Sequence, residues 1–145
     1  MEVLIDTNVA LDVILNNAGF SANARVVLEL AEQKRFTGYI SASAITDIFY
    51  ISRKKLGKET AREAIKHLLH IFYPATVTGD DIYQALDLEW GDFEDSVQYV
   101  VGEGLAVDYI VTRNTQDFTA DLRSDGSITA VTPEQFIEII TDIKE

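Results

Sequence analysis

No cysteine occurs among the 145 residues, which excludes disulfide frameworks, thiolate zinc sites and cysteine nucleophiles together. Histidine is nearly as scarce: only His67 and His70 are present, three apart in a stretch of helical spacing, too few for a metal site and expected on the surface. Long apolar runs are missing as well. Glu2 and Asp6 stand where a signal peptide needs positive charge and then hydrophobic length, and Asp12 interrupts the one candidate run, so neither secretion nor membrane insertion is indicated. A cytoplasmic protein is the expectation. Internal repeats, low-complexity tracts and linkers are absent too, and the stretch from Ser124 to Ser127 reads as a turn. A single domain spanning residues 1–145 is therefore expected, large enough to bury roughly 70% of the surface its unfolded chain exposes.

Basic side chains are in short supply, 12 against 24 acids, for a formal net charge of −12. This argues against passive binding to a phosphate backbone, which relies on Lys and Arg displacing counterions. It leaves open an enzyme that meets phosphate through a metal ion. The charge is also unevenly spread. Residues 67 to 112 carry nine Asp or Glu and no Lys or Arg, whereas residues 53 to 66 hold six of the twelve basic side chains. Both blocks read equally well as solvated helix faces.

What the chain does have is a regular alternation of element types. Strand-like runs occur at VLID (3 to 6), GYIS (38 to 41), ATVT (75 to 78), YIVT (109 to 112) and ITAV (128 to 131). Between them apolar residues recur at helical spacing: Ala24, Val27, Leu28 and Ala31; Ile45, Ile48 and Phe49; Ala64, Ile65, Leu68, Leu69 and Phe72; Val97, Val100 and Val101. Thr132, Pro133 and Gln135 announce a last helix with an N-cap, a proline at the first helical position and a capping-box glutamine. Repeated βα alternation predicts an α/β fold, a mainly parallel central sheet flanked by helices on both faces.

In such sheets ligands bind outside the carboxyl ends of the strands, and Asp6 ends the first one. Asp47 follows the GYIS strand by six residues, Asp92, Glu94 and Asp95 open a helix, and Asp117 follows YIVT after a loop containing Thr112, Arg113 and Asn114. Carboxylates converging on one rim need a cation, and with oxygen donors alone that cation is hard, Mg²⁺ or Mn²⁺. Such a metal activates water for phosphodiester hydrolysis. Each acid also has a structural explanation. Asp92 reads as an N-cap with Asp95 at the N3 position, Asp6 as a cap of the helix after strand one, and Asp80 and Asp81 as the start of another helix; Asp47 could face solvent.

The segments LIDTNV, SASAITDIFYI, DFEDSVQ and IVTRNTQDF, in this order, resemble a PIN domain of the VapC type from Met1 to about Pro133. The resemblance implies a Mg²⁺- or Mn²⁺-dependent ribonuclease, many members being toxins held by a small partner antitoxin. Carried over by motif, Asp6 and Asp95 are the two acids tied to metal. Asp47 stands where the family usually has Glu, one methylene longer, and Asn114 or Asp117 takes the fourth acidic place. Thr112, Arg113 and Asn114 become candidate substrate contacts, together with the basic cluster from Arg53 to Lys66. An RNA substrate, an antitoxin and a homodimer are the partners this resemblance brings. Two other readings stand beside it. One is a non-catalytic PIN-like binding module with an acidic rim. The other is a haloacid-dehalogenase-like phosphatase, whose first motif LIDTN also resembles, although Asn8 stands where that chemistry needs a second acid.

Overall fold

The computed structural model describes residues 1–118 and 128–143, without the side chain of Asp117. The turn expected from Ser124 to Ser127 lies outside the described residues. The elements run β1 (Glu2–Ile5), α1 (Thr7–Ile14), α2 (Ser21–Glu32), β2 (Thr37–Ser41), α3 (Ala42–Leu56), α4 (Lys58–Ile71), β3 (Tyr73–Ala75), α5 (Gly79–Leu88), α6 (Phe93–Leu105), β4 (Tyr109–Val111), a 3₁₀ turn (Thr115–Phe118), β5 (Thr129–Val131) and α7 (Pro133–Asp142). The strands form one sheet in the order β3-β2-β1-β4-β5, parallel throughout.

Why the strands are almost wholly apolar follows from the two cores. On β1, Val3 and Ile5 point to one face and Leu4 to the other, as the two-residue period of a strand requires. Val3 and Ile5 pack with Ile40, Val111 and Val131 beneath α1, α2, α3, α4 and α7. Leu4 and Ile110 pack beneath α5 and α6, with Tyr39 and Ala130 at the margin. A sheet covered on both sides leaves no position for an alternating polar residue. Gly38 in β2 has a more local reason: a Cβ there would lie 2.5 Å from Phe72 Cδ1, so the buried Phe72 ring occupies the space of a side chain. Gly57, between α3 and α4, has φ +90°, a conformation that favours glycine.

The expected strand at 75 to 78 is displaced: β3 is Tyr73–Ala75. Thr78 is committed to starting α5, its Oγ1 accepting from Asp81 N at 3.1 Å while its own N donates to Asp81 Oδ2 at 2.9 Å. Pro74 fits β3 because this is an edge strand, where a missing N–H costs least. Thr132 and Gln135 form the reciprocal cap expected for α7. Among the described residues no helix is long and apolar enough to cross a membrane.

The chain steps from β1 outward through β2 and β3, then returns to place β4 on the other side of β1. The carboxyl ends of β1 and β4 therefore flank the point where strand order reverses, the usual place for a ligand crevice in an open α/β sheet.

Candidate active site

Asp6 sits immediately after β1, its backbone N donating to Val111 O at 3.0 Å, so the end of β4 fixes it in place. It caps α1: Oδ1 accepts from Thr7 N at 2.7 Å. The same Oδ1 accepts from Gln98 Nε2 in α6, and Oδ2 accepts from Thr112 Oγ1 at 2.6 Å. Asp6 is 3% exposed. Burial pushes its carboxyl above the ordinary carboxylate range, the hydrogen bonds from Thr112, Gln98 and Thr7 oppose that rise, and the charge of Asp92 adds to it.

Capping and convergence are thus the same event for Asp6, and similarly along α6. Asp92 is the N-cap, accepting from Asp95 N at 3.0 Å, which places Asp95 at the N3 position. Asp95 is 5% exposed. Asp6, Asn8, Asp92, Glu94, Asp95 and Asn114 all line one open cleft of about 140 Å³. A larger hollow of about 240 Å³ lies at the amino ends of β2 and β3, between Glu32, Lys34 and His70. It is the cleft with convergent acids, rather than the larger hollow, that has the means for chemistry.

The other expected residues take distinct places. Asp47 is exposed on α3, hydrogen-bonded to the half-buried Glu94. Glu94 also accepts from Thr7 Oγ1 at 3.2 Å. Its carboxyl is pushed up to about 7, first by burial, then by the hydrogen bond and negative charge of Asp47, with Thr7 opposing and the charge of Asp6 adding. Glu94 therefore keeps its proton to a higher pH than an ordinary carboxylate does. Thr112 is fully buried, and its Oγ1 also accepts from Asn114 N at 3.0 Å, which holds the loop that brings Asn114 to the cleft. Arg113 turns to α1: its Nε lies 2.8 Å from Asp12 Oδ2, its Nη2 3.2 Å from Asp12 Oδ1, and its guanidinium stacks 4.1 Å from the Phe20 ring centroid. The backbone of Asp117 belongs to the 3₁₀ turn, while its side chain is outside the described residues. Arg53, Lys54, Lys55, Lys58, Arg62 and Lys66 are all exposed around the α3–α4 turn, and His67 and His70 are exposed on α4.

Asn8, Asp92, Glu94 and Gln98 belong to this arrangement and are not among the site residues expected from sequence. Glu94 stands in the sequence with Asp92 and Asp95 as a helix start and as one of several carboxylates near the rim, without an assigned role. Gln98 carried a usable signal: it is the one polar side chain in the run from Val97 to Val101 apart from Tyr99, and at i+4 from Glu94 and i+3 from Asp95 it shares their helix face.

The fold and this acidic cleft define a class. The chain belongs to the PIN domain family, whose model matches residues 2–116. A comparison with curated proteins finds no match. Solved structures do match in fold. Mycobacterium tuberculosis VapC20, a toxin that cleaves the sarcin–ricin loop, is similar at TM-score 0.62 and 15% identity, over 74% of this chain and 86% of its own. A toxin–antitoxin complex from Klebsiella pneumoniae is similar at TM-score 0.65 and 21% identity, over 90% and 97%. VapBC2 from Rickettsia felis, bound to a DNA fragment of its promoter, is similar at TM-score 0.69 and 16% identity, over 91% and 98%.

Proposed function

We propose that this PIN domain is a Mg²⁺- or Mn²⁺-dependent endoribonuclease and the toxin of a toxin–antitoxin pair. The observation that carries this reading is the state of Asp6. Three protein donors occupy its carboxylate, two on Oδ1 and one on Oδ2, so Oδ2 keeps one acceptor position on a residue that lines the cleft with Asp95, Glu94 and Asn114.

A hard cation fits that donor set, which is oxygen alone. Among the described residues no three His, Cys, Asp or Glu side chains are gathered closely enough to hold a metal by themselves. Mg²⁺ takes one or two carboxylates and completes its shell with waters and substrate phosphate. Asp6 and Asp95 would hold the ion, with Asn114 completing the rim. When bound, the ion orients a water, lowers its pKa and offsets charge on the phosphodiester. Thr112 keeps Asp6 in place, and Asn114 offers a neutral donor and acceptor to substrate. The Glu94–Asp47 pair holds a proton at the cleft edge, where a departing oxygen could receive it. Arg113, already paired with Asp12, anchors the loop from Thr112 to Asn114, and the exposed cations around the α3–α4 turn meet the RNA backbone.

The partner reading is supported by the fold neighbours, several of which are toxin–antitoxin complexes. An acidic cleft suits a basic antitoxin segment whose Arg pairs with Asp6 or Asp95. The test is cleavage of RNA by the purified protein with Mn²⁺ and with EDTA. Asp6→Asn and Asp95→Asn should each lower the rate at least about 10²-fold. Asp80→Asn, whose carboxylate only accepts from Gln84 on the surface of α5, should change little. Equal rates in all three would leave the non-catalytic binding module as the reading.

A further inference from the structure

The two ends of Gln98 fare differently. The side chain is fully buried. Its Nε2 donates to Asp6 Oδ1, joining α6 to the end of β1. Its Oε1 is equally shut off from solvent and accepts no hydrogen bond among the described residues. An unpaired buried acceptor lowers stability, and an apolar side chain of the same length would avoid that penalty. Packing alone therefore disfavours glutamine here, so the donor end must account for it.

What the donor end does can be counted on Asp6. Oδ1 has two acceptor directions, and the Thr7 N–H and Gln98 fill both. Oδ2 spends one on Thr112 Oγ1 and keeps one. Remove Gln98 and both oxygens have an open position, so the carboxylate no longer has one defined face for a ligand. The choice of an amide is also explained. Glutamate has no donor and would set a second charge against Asp6, while lysine would pair with Asp6 and compete with any cation. Glutamine donates without charge.

We propose that Gln98 is a positioning residue: by saturating Oδ1 it makes Asp6 present a single oxygen, Oδ2, to a divalent cation in the cleft. This rests on the metal-dependent nuclease reading. A role in stability alone requires loss of Gln98 to weaken the fold; a positioning role lets metal binding fall while stability holds.

The experiment compares wild type with Gln98→Met, a near-isostere without a donor, and Gln98→Leu as a second variant should methionine pack poorly. Melting is measured in EDTA, Mn²⁺ affinity by calorimetry, and kcat and KM on an RNA oligonucleotide. The metal-free variant should melt near the wild-type temperature, because losing the hydrogen bond to Asp6 and removing the unpaired Oε1 act in opposite directions. Its Mn²⁺ affinity should fall about 10-fold, as for loss of a hydrogen bond that orients a metal ligand, and kcat should fall while KM stays, because Gln98 is buried away from substrate. If both variants melt well below wild type in EDTA, or if Mn²⁺ affinity is unchanged in an active protein, the inference is overturned alone. A wild-type protein that takes up no Mn²⁺ and cleaves no RNA overturns the nuclease reading and this inference with it.

Discussion

Replacing Glu94 by glutamine in the metal-free protein removes a cleft carboxyl that is held far from its ordinary state. That carboxyl is pushed up to about 7 from its ordinary 4.5, by burial first and by Asp47 second. The folded protein therefore keeps this proton to a higher pH than the unfolded chain does. The resulting stabilisation is complete below about 4.5 and is lost as pH rises through about 7. At 1.36 kcal/mol per pH unit the ceiling is about 3.4 kcal/mol. Glu94 is only half-buried, so solvent screening brings the working figure to about 1 kcal/mol. For a chain of this length that is about 2–4 °C in Tm. The assay is thermal melting of both proteins in EDTA from pH 4.5 to 8.5. Wild type should lose stability across this range, and Glu94→Gln should lose less, so that the two nearly coincide at pH 4.5 and the variant melts about 2–4 °C higher at pH 8. Asp6, also raised by burial, contributes to both curves, so the difference between them reports Glu94. Parallel curves, or a variant less stable than wild type at pH 8, would refute the reasoning.

Two further predictions follow from packing in the core and beside the cleft. Arg113→Ala leaves Asp12, which is fully buried, without the guanidinium that contacts both its oxygens; the cost should be about 3 kcal/mol in urea unfolding, and Arg113→Lys should recover less than half because a point charge cannot reproduce the fork. An unchanged urea midpoint for Arg113→Ala would mean that the pair contributes nothing. Gly38→Ala places a Cβ 2.5 Å from Phe72 Cδ1, and forcing that buried ring aside should cost about 1–3 kcal/mol. Because Gly38 lies near the amino end of β2, away from the cleft, Mn²⁺-dependent cleavage per folded molecule should be retained.

Legibility from sequence divides along a physical line, between what neighbouring residues decide and what the closed sheet decides. Four strands announced themselves as apolar runs because burial on both faces permits little else, and α7 was marked by Thr132, Pro133 and Gln135, whose capping contacts are all within three residues. The fifth strand was misplaced where Thr78 could serve either a strand or a cap, and the cap won through Asp81. At the cleft, the position of Asp6 was readable because strand end and helix start are adjacent in the chain. Its partners were not, since Gln98 and Thr112 reach it across 92 and 106 residues. The same holds for Arg113, whose turn toward Asp12 spans 101 residues, and for Glu94 meeting Asp47. None of these contacts has a local pattern to betray it, only an out-of-place polar residue such as Gln98 in an apolar helix. It follows that the arrangement around Asp6 cannot exist before β1 and β4 pair and α6 docks. A cation that needs this geometry binds the folded chain in preference to the unfolded one, and so links the acidic cleft to the stability of the whole sheet.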